Sequence, residues 1–257
     1  DNAQLASTYA AAAAIYGDDG YAWVVRRTLD AVARDLSHKD GAFLSAIDAE
    51  VDSREGLNYL WDADEVRSVL SDDDAAWASS VFGLDAGPNF QDPHHAEDPP
   101  RFVLRLAERP QEPADDWRRR FEQCSSLLLR VRDEREQPHT DDKVLASWNG
   151  MMIRAFADGF ALTKEAAYLD RAIAAARFVR DNMIRTDAER AERTLRRAWR
   201  DGRTGEPGVL EDSAQMIAGF VAVHSACRAS ADSSRSSGDD WLGEAVSLAD
   251  AAIDAFA

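Results

Sequence analysis

Pro138-His139-Thr140-Asp141-Asp142-Lys143-Val144-Leu145-Ala146-Ser147-Trp148-Asn149-Gly150 is the stretch from which the fold of this chain is read. A proline opens it, three charged side chains stand together at Asp141, Asp142 and Lys143, and a long apolar segment follows at once. Polar chemistry therefore sits at a helix entrance, where anions and sugars are readily held. Ser147 is a good N-cap, and the helix it opens continues through Met151, Met152, Ile153, Phe156, Phe160 and Leu162. These apolar residues cover most of the circumference, interrupted mainly by Arg154 and Asp158, which can pair at i and i+4. The pattern predicts a helix buried on nearly all sides. Two readings of the acids stay open: helix-terminus groups placed where the macrodipole favours them, or, with Lys143, Trp148 and Asn149, the acid, base, stacking face and bidentate hydrogen bonder of a carbohydrate pocket.

Downstream, residues 166–184 carry an inward stripe of Leu169, Ile173, Ala176, Val179 and Met183, with Asp170, Arg171, Arg177, Arg180 and Asp181 facing water. An arginine-laden loop over 185–208 contains Trp199 and Gly202-Arg203-Thr204-Gly205 and reads as another small hairpin. Leu210-Glu211-Asp212-Ser213 then opens a helix apolar on both faces, through Met216, Phe220, Val223 and Cys227. A Ser/Gly/Asp linker over 230–240 leads to an amphipathic helix from Trp241 to the end. Upstream, an alanine-rich helix over 3–16, apolar nearly all round, is stopped by Gly17-Asp18-Asp19-Gly20 and followed by an amphipathic helix over 21–36. Inner helix, turn, outer helix and polar loop recur. Both inner helices at Ser147 and Ser213 are entered through a paired acidic dipeptide, and a two-layer ring would bring those entrances to one end.

Between these parts lies less regular sequence. Ala42 to Glu50 reads as an extended piece and Leu57 to Trp61 as a returning strand, a hairpin with Asp48, Glu50, Asp52 and Glu55 near its tip. A helix opens at Asp62-Ala63-Asp64-Glu65. A proline-rich acidic stretch over 87–113 carries one apolar run, Phe102-Val103-Leu104, an edge strand or a loop pressed on the core. Residues 115–135 return to helix, with Trp117, Phe121, Cys124, Leu128 and Val131 on one face.

A hydrophobic share of 45% over 257 residues suffices for a packed core. The formal charge of −17 argues against a nucleic-acid partner. Arg118-Arg119-Arg120 and the arginines of 193–200 instead offset nearby acids. Aspartate outnumbers glutamate 32 to 15, and lysine occurs only at Lys39, Lys143 and Lys164, a bias like that of proteins from salt-loving microbes. There is no run of about 18 apolar residues and no basic leader, so a soluble, cytoplasmic protein without membrane contact is expected. The first residue is not Met, and the chain reads as cut from something longer. Cys124 and Cys227 lie apart in helical patterns, as reduced core thiols. No metal or cofactor is expected: zinc spacings are absent, and His94-His95 reads as a surface pair rather than a ligand set.

The opening stretch resembles the P-H-x-D-D-K-x-x-x-S-W-N-G signature of the YyaL-like, spermatogenesis-associated protein 20-like family. Gly41 to Glu50, with Glu55-Gly56 and Tyr59-Leu60-Trp61, is similar to that family's G-G-F-Y-S-A-E-D-A-D and E-G-x-F-Y-x-W stretches, and Leu210 to Ala214 resembles its L-x-D-Y-A helix start. Ile47 stands in place of an acid, Glu50 of an aspartate, Ser213 of a tyrosine and Ala42 of a glycine. The resemblance implies an all-α fold, an (α/α)6 toroid of the six-hairpin glycosidase type. Residues 1–257 would form a single partial domain of it with an irregular insertion at about 37–115. A thioredoxin-like domain would lie upstream in the same full-length chain. By analogy with hydrolases of that architecture, Asp48 with Asp141 or Asp142 would be the catalytic carboxylates. His139, Lys143, Trp148, Asn149 and Asp212 would bind a sugar or other small-molecule ligand. A histidine-based epimerase would have one histidine too few, His139 being alone in a motif. The alternative is a non-catalytic scaffold whose acidic motifs lock loops to helix termini, and a lysine paired to the neighbouring carboxylates would favour it.

Overall fold

A computed structural model describes residues 1–187, 192–232 and 238–256. Along the described residues run nine α-helices: α1 (Asn2–Tyr16), α2 (Asp19–Asp35), α3 (Ala63–Val69), α4 (Asp72–Val81), α5 (Ala114–Asp133), α6 (Ala146–Thr163), α7 (Ala166–Met183), α8 (Leu210–Ala229) and α9 (Trp241–Phe256). Strands are no longer than four residues, so the class is all-α with short β-hairpins inserted. The chain divides into two compact units, one of Asp1–Ala46 with Thr140–Ala257 and the other of Ile47–His139. The second unit takes in α5 as well as the irregular sequence before it.

In the first unit α1 packs on α2, α6 on α7 and α8 on α9, while α6 also lies between α1 and α8. This is the inner-outer alternation that the apolar patterns predict. Helix α6 is buried nearly all round, through Met152, Ile153, Phe156 and Phe160 among others, and the whole α7 stripe from Leu169 to Met183 is covered. Helix α1 differs from its reading. Only Ala3, Ala6, Ala10 and Ala13 are buried, and Ile15 and Tyr16 are 75% and 74% exposed, because α1 is covered on the sides facing α2 and α6 and not on its third side.

Glycine sets how closely α6 and α8 approach. A Cβ on Gly150 would lie 2.4 Å from the Gln215 carbonyl, and one on Gly219 would lie 2.8 Å from the Gly150 carbonyl oxygen. Only residues without side chains allow these two backbones to touch. Ahead of α6, Val144–Leu145 pairs antiparallel with Ala198–Arg200, which turns through Asp201-Gly202 into Arg203–Thr204. The small hairpin read from Trp199 and Gly202 is therefore present, and it is stitched to the α6 entrance. Residues 188–191 of the arginine-laden loop and 233–237 of the Ser/Gly/Asp linker lie outside the described residues.

The second unit has its own core, built by Trp61, Val66, Ala78, Phe82, Cys124 and Leu128 of α3, α4, α5 and the adjoining loops. The acidic hairpin closes as Glu50–Val51 against Arg54–Glu55, with Asp52 and Ser53 both at positive φ in the turn. Leu57 to Trp61 is not its returning strand. Leu57–Tyr59 forms a 3-10 turn, and Leu60–Trp61 pairs instead with Phe102–Val103, the apolar run of the proline-rich stretch.

Candidate functional site

The α6 entrance is assembled from four polar residues, and each has a partner within the first unit. Asn149 is 1% exposed and uses its whole amide: Oδ1 accepts from the Phe43 N–H at 2.9 Å, while Nδ2 donates to the carbonyls of Phe43 at 2.9 Å and Leu145 at 3.0 Å. It pins the extended piece at Ala42-Phe43 to the first turn of α6, and Phe43 stacks on Phe156 farther along the same helix at 5.0 Å. No donor or acceptor of Asn149 remains for a ligand beyond second lone pairs.

Asp212, 2% exposed, reaches in two directions. Its Oδ2 accepts from the Val209 N–H at 3.0 Å at the start of its own helix, and its Oδ1 accepts from the Ser147 N–H at 3.3 Å in α6. One carboxylate thus caps two neighbouring inner helices, where their dipoles favour a negative charge. Ser147 is accordingly not the N-cap that the sequence predicts. Helix α6 begins at Ala146 after Leu145, and the capping acceptor comes from a residue 65 positions away.

Asp141 and Asp142 are half-buried and each faces a cation. Lys143 Nζ lies 3.1 Å from Asp141 and its N–H donates to the same carboxylate at 3.3 Å, while Arg200 of the adjoining hairpin lies 2.6 Å from Asp142. Burial would raise the Asp141 carboxyl, but the hydrogen bonds from Lys143 outweigh it and hold the group below the ordinary carboxylate range. An acid so held is ionised at neutral pH and is a poor proton donor. Trp148 is 48% exposed and is the one large apolar side chain of the stretch that is open to solvent.

Asp48 and His139 belong to the second unit. Asp48 is exposed; its Oδ1 accepts from the Glu50 N–H at 3.2 Å, and its N–H donates to the His139 carbonyl at 2.8 Å. The His139 ring is exposed. His95, read as part of a surface pair, instead sets Nδ1 3.0 Å from Asp92, which is 7% exposed. No cluster able to hold a metal occurs among the described residues, and no helix among them is long and apolar enough to cross a membrane.

One carboxyl in the first unit has the opposite character, and the sequence marked it only as the partner of Arg154. Asp158 lines a groove of about 510 Å³ between α6 and α8, beside Ala161, Ala218, Val221 and Ser225. Burial raises its carboxyl, although Ser7 of α1 donates to it at 2.8 Å and Arg154 lies 3.7 Å away. It is the acid best suited to retain a proton, but no second carboxylate lines that groove. Two-carboxylate hydrolysis needs a partner about 5–9.5 Å away.

No family model matches the chain. Among curated proteins it is similar to spermatogenesis-associated protein 20 of Mus musculus, 30% identical over 97% of this chain, and of Homo sapiens, 29% identical over 97%. An uncharacterized Caenorhabditis elegans protein, B0495.5, is 29% identical over 56% of this chain and 23% of its own length. The chain spans about a third of the mammalian relatives, 34% of each.

Proposed function

Since the chain belongs, over the length it spans, to the spermatogenesis-associated protein 20 family, we propose that this region of the longer protein is a non-catalytic scaffold built from successive hairpins of an (α/α)6 toroid. In this reading the signature stretch is a clasp. It joins the Ala42-Phe43 segment, the α6 entrance, the α8 entrance and the 198–204 hairpin into one rigid end.

The observation that supports this reading is the pairing of the polar groups. Asp141 is matched by Lys143, Asp142 by Arg200, Asn149 by the Phe43 backbone, and Asp212 by two helix N-termini. A general acid and base need the opposite: one carboxyl kept protonated and another free to activate water.

Trp148 favours a second reading, a carbohydrate-binding rather than hydrolysing rim. An exposed indole beside paired charges is a stacking face for a sugar. The two readings separate in the full-length protein. The scaffold reading expects no saccharide in a broad glycan panel to raise the melting temperature. A saccharide that does so, and loses its effect in Trp148→Ala and Asp142→Asn at unchanged basal stability, would replace the scaffold reading with the carbohydrate one.

A further inference from the structure

Ahead of the clasp hairpin, a two-stranded sheet leaves part of one edge open. Ile184–Asp187 pairs antiparallel with Glu192–Leu195, so that Leu195 stands opposite Ile184, Thr194 opposite Arg185 and Arg193 opposite Thr186. The phase of the ladder follows from the Arg196 N–H, which donates to the Met183 carbonyl at 2.8 Å. Alternate residues of an antiparallel strand turn both main-chain groups to the partner, so Thr194 faces Arg185 while Arg193 and Leu195 face the other way. The Leu195 carbonyl accordingly accepts from the Gly208 N–H at 2.7 Å on that far side. Arg196 lies opposite Pro207, so residues 206–208 cover the edge up to Leu195 and then leave it, since Val209 leads into α8. The N–H and C=O of Arg193 are left uncovered, and neither has a hydrogen bond among the described residues. An open strand edge of this kind is a template for another chain.

A cavity of about 450 Å³ lies beside the same edge, lined by Arg193, Leu195, Gly208 and Ser213 and, on α9, by Leu248 and Ala252. Residues two apart on a strand share a face, and α9 covers the face of Arg193 and Leu195, since the Arg193 guanidinium lies 2.6 Å from Glu244. Leu195, Leu248 and Ala252 are buried and form an apolar wall. Ser213 is 5% exposed, yet its hydroxyl has no hydrogen bond among the described residues and keeps some surface open. It lacks the partner that buried hydroxyls ordinarily have.

We propose that this edge docks an extended peptide segment and that the cavity receives a tyrosine side chain from it. The peptide runs antiparallel to Glu192–Leu195 and starts beyond Gly208, and its residue opposite Arg193 exchanges N–H and C=O with it. Residues paired in this way point to the same face, so the side chain of that residue turns toward α9 and enters the cavity. A phenol suits both parts of the lining: the ring lies against Leu195, Leu248 and Ala252, and its hydroxyl reaches that of Ser213. A wholly apolar side chain would leave Ser213 unpaired. A carboxylate would stand near Asp212, whose Oδ2 is 3.4 Å from where a Cβ on Gly208 would lie.

The test titrates the full-length protein calorimetrically with the peptide acetyl-Thr-Tyr-Thr-Val-amide. Methylation of the tyrosine nitrogen, which faces Arg193, is expected to weaken binding about 10-fold or more, and methylation of the next threonine nitrogen, which faces away, less than about 3-fold. Phenylalanine in place of the tyrosine should bind about 5-fold more weakly, and Ser213→Ala should abolish that difference. If Ser213→Ala fails to fold, the pair of methylated peptides still decides. No binding of the parent peptide, equal effects of the two methylations, or a tyrosine-to-phenylalanine ratio unchanged in Ser213→Ala would overturn the proposal. So would self-association of the full-length protein that is abolished by Ala251→Trp in the α9 wall, since a second copy would then hold the edge.

Discussion

Asp239 illustrates how single residues hold the first unit. Its carboxylate is 7% exposed and accepts from Arg177 at 2.9 and 2.7 Å and from Arg180 at 2.5 Å, just ahead of α9. Burial would raise it, but the two arginines outweigh burial and hold it below its ordinary value. A carboxyl lowered in the folded state adds stability above its unfolded pKa of about 3.9 and loses it as pH falls through the folded value. Asp239→Asn should cost about 2 kcal/mol at neutral pH and flatten the acid limb of a plot of melting temperature against pH. Asp158 has the reverse sign, since burial raises it: what it contributes is complete below about pH 3.9 and is lost as pH rises through its folded pKa. Burial also lifts the Cys124 thiol to about 11 and raises that of Cys227. Both should resist iodoacetamide in the native protein and react on unfolding; rapid native labelling would show that one is open. The acids of the signature and the pairing of Lys143 with its neighbour Asp141 were legible in the sequence, but the partners that come from elsewhere in the chain were not. Arg200 comes from a separate hairpin and Asp212 from another helix, and one-dimensional spacing carries no trace of either contact.

At the scale of elements, periodicity was the legible part. The α7 stripe, the α5 face of Trp117, Cys124 and Leu128, and the nearly all-apolar α6 are seated as their patterns predict, because burial of a face is a local property of the repeat. Boundaries and pairings were less legible. Helix α6 starts one residue before Ser147 because the cap is supplied by α8, and Leu60–Trp61 chose a partner about forty residues away rather than the preceding extended piece. The glycines carry a prediction that apolar patterns could not make. Gly150→Ala puts a methyl 2.4 Å from the Gln215 carbonyl, so α6 and α8 must separate. The change should destabilise by about 2 kcal/mol in urea unfolding, against the gain of about 1 kcal/mol that better helix propensity brings in an exposed helix. An unchanged or higher midpoint would mean the helices are not in backbone contact.

For the whole molecule, two compact units and a span of about a third of the mammalian relatives make global unfolding a blunt readout. Region-resolved hydrogen exchange reports the clasp directly. If the signature stretch is structural, its energy lies in the buried Asn149 and not in the exposed Trp148. Asn149→Leu leaves the N–H and C=O of Phe43 unpaired and takes one donor from the Leu145 carbonyl, a loss of about 3 kcal/mol. Amide exchange in residues 42–44 and the first turns of α6 should therefore quicken by about 100-fold in Asn149→Leu, and by less than about 3-fold in Trp148→Ala. Unchanged protection of α6 in Asn149→Leu would contradict the clasp.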